Sequence, residues 1–452
     1  MTDLKFTTAE SFMSNVITGV SEGFHNAAIT QLEDTEIVFA TSSERYSRKK
    51  NEKYLTGYLA ETYLEGTTAF YENTELKNAR RYHCGQTPTK NRFEYDHYFH
   101  HHESHAAAGY YTAPFDDCNI LVIDAIGEWD TVSIWDNMTK VKSWSYPYSL
   151  GLLYSAITAR IGLTPNEDEY ITMGMAAYGE PIYDLEFLLE ENNHQGVGNI
   201  FPHAKNEDLA ASVQALYEKK LLELVDMCPK KNLVIMGGCA LNCLANSKIQ
   251  GKNIWIMPAP DDSGSSLGAA ALVQKKKLNW QHPYLGHNID REVNPKEVVD
   301  YLTKRGVCGI ANGRAEFGPR ALGNRSLIAD PRLDIKDTVN DIKQRQRFRP
   351  FAPAILEEYA DEYFDGPMNR YMQFVANAKH DYKSVTHVDG TARVQIVEKE
   401  CVSVIRPILE EWYEATGCPM LLNTSLNIKG EPIVNDLQDA KRFEEKHNVR
   451  VF

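Results

Sequence analysis

The chain has 452 residues, 43% hydrophobic and 24% charged, with 48 basic against 62 acidic side chains and a net charge of −14. That length exceeds one ordinary core and predicts two or three domains. The acidic balance argues against a general nucleic-acid binder, which needs a broad positive footprint, but leaves room for a cationic pocket.

The opening MTDLKFTTAESF has no charged segment followed by an apolar one, so it does not read as a secretory signal. No apolar run is long enough to cross a bilayer. Eight cysteines, none spaced C-x-x-C, argue against a zinc ribbon and read as small buried thiols in a reducing cytoplasm. Residues 16–40 predict a strand, a polar loop holding His25, and a hairpin whose alternation (28–32 and 36–40) breaks at Glu33-Asp34. A hairpin with a Gly-containing loop is how the actin/hsp70/sugar-kinase fold begins. The basic run SERYSRKK at 43–50 reads as a solvated turn or as a contact to an anionic ligand.

Residues 56–80 read as helical and peripheral, and a helix is expected to start near His101. NILVID (119–124), the turn AIGEWD and TVSIW repeat the strand–turn–strand logic, which predicts a duplicated nucleotide-clasping fold. Residues 205–227 carry an amphipathic helix. LVIMGG ends a buried strand at Gly237 and Gly238. ALNCLANSKI, with Asn242, then opens a helix, a junction whose free N–H groups suit a nucleotide phosphate. PAPDDSG precedes another helix that ends in lysines.

Residues 286–297 lie in a polar stretch read as a linker, dividing 1–285 from a second, mixed α/β domain at 298–452. That domain opens with a strand at 307–311 and the segment GRAEFGPRALGNRSLIADP at 313–331. Arginine forks grip oxyanions bidentately and glycines admit backbone N–H groups, so Arg314, Arg320, Arg325 and Ser326 suit a phosphate or acyl phosphate. A solvated basic loop fits the same composition.

His101 and His105 fall on one helical face. With Asp124 after a buried strand and Asp262 before a helix, they form a donor set for Fe(II), Mn(II) or Zn(II) with open positions. Histidine-rich helix starts also occur as plain polar caps.

The arginine segment resembles the signature of the NodU/CmcH/TobZ-type O-carbamoyltransferases. HHESHAAAGYYTAPF, VIDAIGEWDT, GGCALNC, PAPDDSGSSLGAA, KQRQRFRPFAPAIL, THVDGTARVQIV and NTSLNIKGEPIV continue the likeness, in order, from about Val16 to the C-terminus. The resemblance implies a duplicated actin/hsp70/sugar-kinase-like (Kae1-like) domain followed by an α+β YrdC-like domain. It implies that the second domain joins carbamoyl phosphate and ATP, the latter with Mg(II), into carbamoyl-adenylate with release of pyrophosphate. The carbamoyl group then passes to an acceptor hydroxyl in the first domain, beside a divalent metal, with Fe(II) favoured.

The same likeness places Gly237, Gly238, Asn242 and Gly264 at the nucleotide and the metal on His101, His105, Asp124 and Asp262. Arg314, Arg320, Arg325, Ser326, Lys343, Arg345 and Arg349 are expected at the phosphates, Asn423, Thr424 and Ser425 as closing donors, and Glu316 orienting an arginine. His25 is expected to act as general base. One departure stands out: the family's loop follows its histidine with Asp and then Ser, where this chain has His25-Asn26-Ala27-Ala28.

The acceptor is expected to be a small-molecule hydroxyl or a hydroxymethylated pyrimidine in DNA, the oligomeric state is left open with a homodimer among the options, and the location is expected to be cytoplasmic. A threonylcarbamoyl-type tRNA modification and an inactive nucleotide-binding module are the rival readings.

Overall fold

The computed structural model describes residues 16–191 and 193–452; the opening segment lies outside the described residues. The first sheet contains β1 (Val16–Ser21), β2 (Ala28–Glu33), β3 (Glu36–Ser42), β4 (Thr67–Phe70) and β5 (His97–Tyr98), in the order β3-β2-β1-β4-β5. β1–β2 and β2–β3 are antiparallel, β1–β4 and β4–β5 parallel. The second sheet contains β6 (Asn119–Ile123), β7 (Asp130–Asp136), β8 (Thr139–Ser145), β9 (Asn232–Met236) and β10 (Asn253–Trp255), in the order β10-β9-β6-β7-β8. Its pairings repeat those of the first, antiparallel through β6, β7 and β8 and parallel through β6, β9 and β10. The duplication expected from the two hairpins is therefore present strand for strand, as an actin/hsp70/sugar-kinase-like unit.

Each half lends a helix to the other. His101–Thr112 follows the first sheet but packs on β6 and β9, whereas Asp262–Gln274 follows the second sheet and packs on β1, β2 and β4. The two helices also pack against each other. A Cβ at Gly268 would lie 1.8 Å from the Ser104 carbonyl oxygen, so only hydrogen fits at the crossing. That close approach brings the start of one helix beside the start of the other.

Two sequence expectations are corrected here. Residues 56–80 are not simply helical, because β4 runs between the helices Gly57–Tyr63 and Thr74–His83. At four residues, two of them threonine, β4 is too short to show a period. Residues 286–297 are not a free linker. β11 (Tyr284–Ile289) enters them, pairs with β13 (Gly313–Glu316) and packs on β3, and Asn294 caps the helix Pro295–Arg305.

The second domain is built on β12 (Val307–Ala311), β14 (Arg325–Ala329), β15 (Ala352–Leu356), β19 (Gln395–Val397) and β20 (Met420–Ser425), in the order β12-β14-β20-β15-β19. A small sheet joins β16 (Phe364–Asp365), β17 (Ala376–Ala378) and β18 (Thr391–Ala392). The helices Pro295–Arg305 and Ile405–Thr416 pack together, and the latter covers β15 and β20 with Trp412 fully buried. Among the described residues no helix is long and apolar enough to cross a membrane.

Candidate active site

Glu128 anchors the start of the helix His101–Thr112, accepting from the backbone N–H groups of His101 at 2.9 Å and Asn73 at 2.7 Å. One turn apart, His101 and His105 bring their Nε2 atoms to 3.2 Å. Asp124, just past β6, sets Oδ2 3.0 Å from His101 Nε2 and 4.0 Å from His105 Nε2. Asp262 Oδ1 lies 3.4 and 3.3 Å from the same two nitrogens. One donor atom from each of these four buried residues lies within 4.8 Å of every other.

Burial opposes an imidazolium at His101, yet the Asp262 and Asp124 carboxylates outweigh it and hold its pKa well above the ordinary value. Burial likewise opposes the Asp262 carboxylate, but His101 and His105 hold its pKa well below the usual range. Two buried carboxylates thus require positive charge at their centre. Proton or divalent cation, the donor set fits either.

A second layer supports this centre. The Gly238 N–H donates to Asp124 Oδ1 at 3.3 Å, and Glu72, ion-paired with Lys77 at 2.5 Å, places Oε2 3.8 Å from His101 Nδ1. Gly237 holds φ at 92°, where a Cβ would meet the Ile123 carbonyl oxygen at 2.2 Å. Gly264 packs in the same way on Ala259. Asn242 exchanges amide hydrogen bonds with Gln214 and caps Cys243–Asn246, a single turn where a longer helix was expected.

His25 sits half-buried in the loop between β1 and β2, its Nδ1 buried and without a partner. The neighbouring Asn26 amide donates to Asp261 Oδ2 at 3.0 Å. Burial raises the Asp261 pKa, with the Ser263 hydroxyl acting against it.

The second centre is cationic and lies where the two domains meet. Burial and Arg393 push the Arg320 pKa down to about 9. Burial, then Arg345 and Arg349, depress Lys343, and burial, then Arg349, depresses Arg345. Arg349 lies over the Tyr170 ring of the first domain at 4.6 Å, and Arg345 over Phe351 at 4.2 Å. Among the described residues, no carboxylate oxygen comes within 4.0 Å of the side-chain nitrogens of Arg320, Lys343, Arg345, Arg349 or Arg393. Cations crowded together in a low dielectric without acids call for an anion.

Other expected residues are used differently. Arg325 is fully buried, and its guanidinium donates to the carbonyls of Asn435, Asn312, Asn324 and His287 at 2.8–2.9 Å. Arg314 donates to Val38 O at 2.7 Å and Gly286 O at 3.2 Å. Both expectations of phosphate contact are corrected, because these side chains spend their donors on the backbone, and so is that for Lys343, whose Nζ donates to Ser425 O, to Asn427 O at 2.9 Å and to Asn427 Oδ1 at 3.0 Å. Glu316 orients no arginine through its side chain. Its Oε1 accepts from the N–H groups of Leu322, Asn324 and Arg325 and so shapes the bend.

Ser326 Oγ accepts from Gly323 N at 3.0 Å, and the Ser425 hydroxyl donates to Asn427 Oδ1 at 2.6 Å. Asn423 donates to Gln395 Oε1 at 2.7 Å and keeps a buried Oδ1 without a partner. Thr424 faces Leu327 across the β14–β20 ladder. The run at 43–50 is a clamp between domains: Arg48 donates to the carbonyls of Ile433 at 2.8 Å and Pro432 at 2.9 Å and pairs with Asp439 at 3.3 Å.

Family comparison agrees with this two-part layout. The family described as Carbamoyltransferase N-terminus matches residues 59–196 and 188–271, and the one described as Carbamoyltransferase C-terminus matches 299–452. The chain belongs to the carbamoyltransferase family. It is 32% identical to the uncharacterized protein sll1178 of Synechocystis sp., over 94% of this chain and 93% of that one. It is 31% identical to nodulation protein NolO of Bradyrhizobium diazoefficiens, over 75% of each. A solved structure similar to part of it is the activator of the 2-hydroxyisocaproyl-CoA dehydratase from Clostridium difficile, with a TM-score of 0.40 and 15% identity, over 57% of this chain and 94% of that one.

In this carbamoyltransferase the sequence reading missed Arg393, Tyr170 and Asp261. Arg393 sits in a segment that reads only as strand. Tyr170 belongs to a helix of the other domain. Asp261 is overshadowed by its neighbour, although the doubled aspartate was the available signal.

Proposed function

We propose that this carbamoyltransferase activates carbamoyl phosphate with ATP at the cationic junction and delivers the carbamoyl group to an acceptor hydroxyl beside His25. The observation that carries the reading is the set Arg320, Arg345, Arg349 and Arg393, gathered without a carboxylate partner where the domains meet. Carbamoyl phosphate, ATP and water give carbamoyl-adenylate, pyrophosphate and phosphate. The arginines offset the negative charge that builds up as the phosphates separate.

In the second step His25 takes the proton of the acceptor hydroxyl, the hydroxyl oxygen bonds to the carbamoyl carbon, and AMP leaves. The Asn26–Asp261 hydrogen bond holds the His25 loop against the start of the helix Asp262–Gln274. His101, His105, Asp124 and Asp262 would hold a divalent cation, with Fe(II), Mn(II) and Zn(II) all suited to the donor set, and it would supply Lewis-acid stabilisation to the leaving phosphate. A small-molecule hydroxyl is the acceptor class that accords with the net charge of −14.

The test separates the two steps. Arg320→Ala abolishes pyrophosphate release from ATP and carbamoyl phosphate. His25→Asn retains that release but yields no product heavier by one carbamoyl group in mass spectrometry. Loss of transfer alone in both variants would refute the division of labour. Metal analysis of the purified protein, with His105→Ala as the depleted control, tests the cation.

A further inference from the structure

One wall of the cationic junction carries buried polar atoms that the steps above do not use. On the segment 386–393, Thr386 Oγ1 and His387 Nε2 are buried without partners, as is Gln346 Oε1 between Arg345 and Arg347. The His387 side chain is 9% exposed, and its Nδ1 faces Asp389 Oδ1 at 3.5 Å. Asp389 is itself fixed, accepting from the Thr391 N–H at 2.9 Å and the Thr391 hydroxyl at 2.7 Å. The His387 N–H closes the same turn on Thr391 O at 2.7 Å.

The imidazole is thus held from behind by a carboxylate while its other nitrogen is free to accept. Its ring packs edge-on against Tyr178 at 5.7 Å. Tyr178 in turn meets Phe348, the residue before Arg349, at 5.8 Å and donates to its carbonyl at 3.3 Å. Arg393, on the same segment, faces Arg320 and Arg345. His387 is thus tied to Arg393 along its own segment and to the Phe348-Arg349 backbone through Tyr178.

The chemistry of the first step calls for a group of this kind. Carbamoyl-adenylate keeps the carbamoyl carbon but not the phosphate originally bound to it, so water must cleave that bond before ATP is attacked. Guanidinium groups are poor proton acceptors, and Lys343 is turned to Asn427 O at 2.9 Å and Asn427 Oδ1 at 3.0 Å, whereas an imidazole backed by a carboxylate is a good one.

We infer that His387 is the base that activates this water, with Asp389 as its positioning residue. The inference rests on the proposed function. A water proton passes to His387 Nε2 and the water oxygen bonds to the carbamoyl carbon. The C–O bond to phosphate breaks and phosphate leaves onto the arginines, taking up the proton. The carbamate oxygen then attacks the α-phosphorus of ATP, and pyrophosphate departs.

Ammonium carbamate supplies the intermediate directly and bypasses the assigned step. With carbamoyl phosphate and ATP, His387→Gln lowers phosphate and pyrophosphate release together by roughly 10²–10⁴-fold. With ammonium carbamate and ATP, pyrophosphate release stays at the wild-type rate. Asp389→Asn shows the same donor split at smaller amplitude, which a merely structural role would not produce. Wild-type phosphate release in His387→Gln, or equal loss with both donors, overturns the assignment. A wild-type enzyme silent with both donors overturns the proposed function and this assignment together.

Discussion

Gly318, in the bend of the arginine segment, lies against the Pro258 carbonyl in the loop that leads to Asp262. A Cβ at Gly318 would come 2.5 Å from that oxygen, at a φ of +126° that side chains rarely adopt. The two centres therefore share a backbone contact.

Gly318→Ala tests that contact. Strain and overlap together cost on the order of 2 kcal/mol, readable as a lowered urea midpoint. Metal retention and pyrophosphate release fall in parallel, because the displaced loops serve both centres. A variant that loses one and keeps the other at the wild-type level would show that the contact couples nothing.

Arg320 and Arg325 separate by the cost of removing each. Arg325→Met strands several buried carbonyls and destabilises by on the order of 3 kcal/mol or more. Arg320→Met removes a partly buried cation that stands beside Arg393 without an acid, so stability is unchanged or rises while pyrophosphate release disappears. Thermal melts of the two variants beside the release assay check both halves. A large drop in Tm for Arg320→Met would mean that it, too, is a structural staple.

Glu22, in the loop between β1 and β2, supplies a pH dependence of stability. Burial raises its pKa above 4.5, against the Leu55 N–H at 3.0 Å and Arg92 at 3.9 Å, which favour the charged form. The folded state thus binds the Glu22 proton more tightly than the unfolded chain. That stability is fully present below pH 4.5 and is lost as pH rises through the raised pKa. Each tenfold difference in proton affinity between the two states is worth about 1.4 kcal/mol. Glu22→Gln therefore matches wild type near pH 4 and exceeds it near pH 8 in urea unfolding. A constant difference across that range would exclude Glu22 as the source.

Legibility in the sequence followed the strength of the local signal. β6 and β9 are continuous apolar runs between turn residues, and His101 and His105 one helical turn apart cannot avoid sharing a face. In KQRQRFR the sequence reading singles out the inward pair Arg345 and Arg349 and leaves aside Arg347, which is exposed and bound to Asp341. Arg325 was not legible. An arginine among glycines offers the same donors to a phosphate as to a ring of carbonyls, and only the three-dimensional path of 287, 312 and 435 decides between them. β4 and β11 owe their conformation to partners far away in sequence, which no local pattern records.

Asn26 carries the clearest consequence of the loop sequence. Its backbone is left-handed, at a φ of 52°, which asparagine and aspartate both tolerate, so the position selects on the side chain. Its amide donates to Asp261 Oδ2, while the Ser263 hydroxyl donates to Oδ1 at 2.5 Å. Asn26→Asp would set a second carboxylate against Asp261, whose pKa burial already raises. Like charges at that range repel, and the His25 loop moves off the helix start. Carbamoyl transfer then falls by roughly 10-fold or more, the scale of a misplaced catalytic group, while pyrophosphate release is untouched. Asn26→Asp combined with Asp261→Asn restores the pairing with donor and acceptor exchanged and recovers most of the transfer. Product mass spectrometry on the single and double variants decides it, since a double variant no better than the single would show that the hydrogen bond does not position His25.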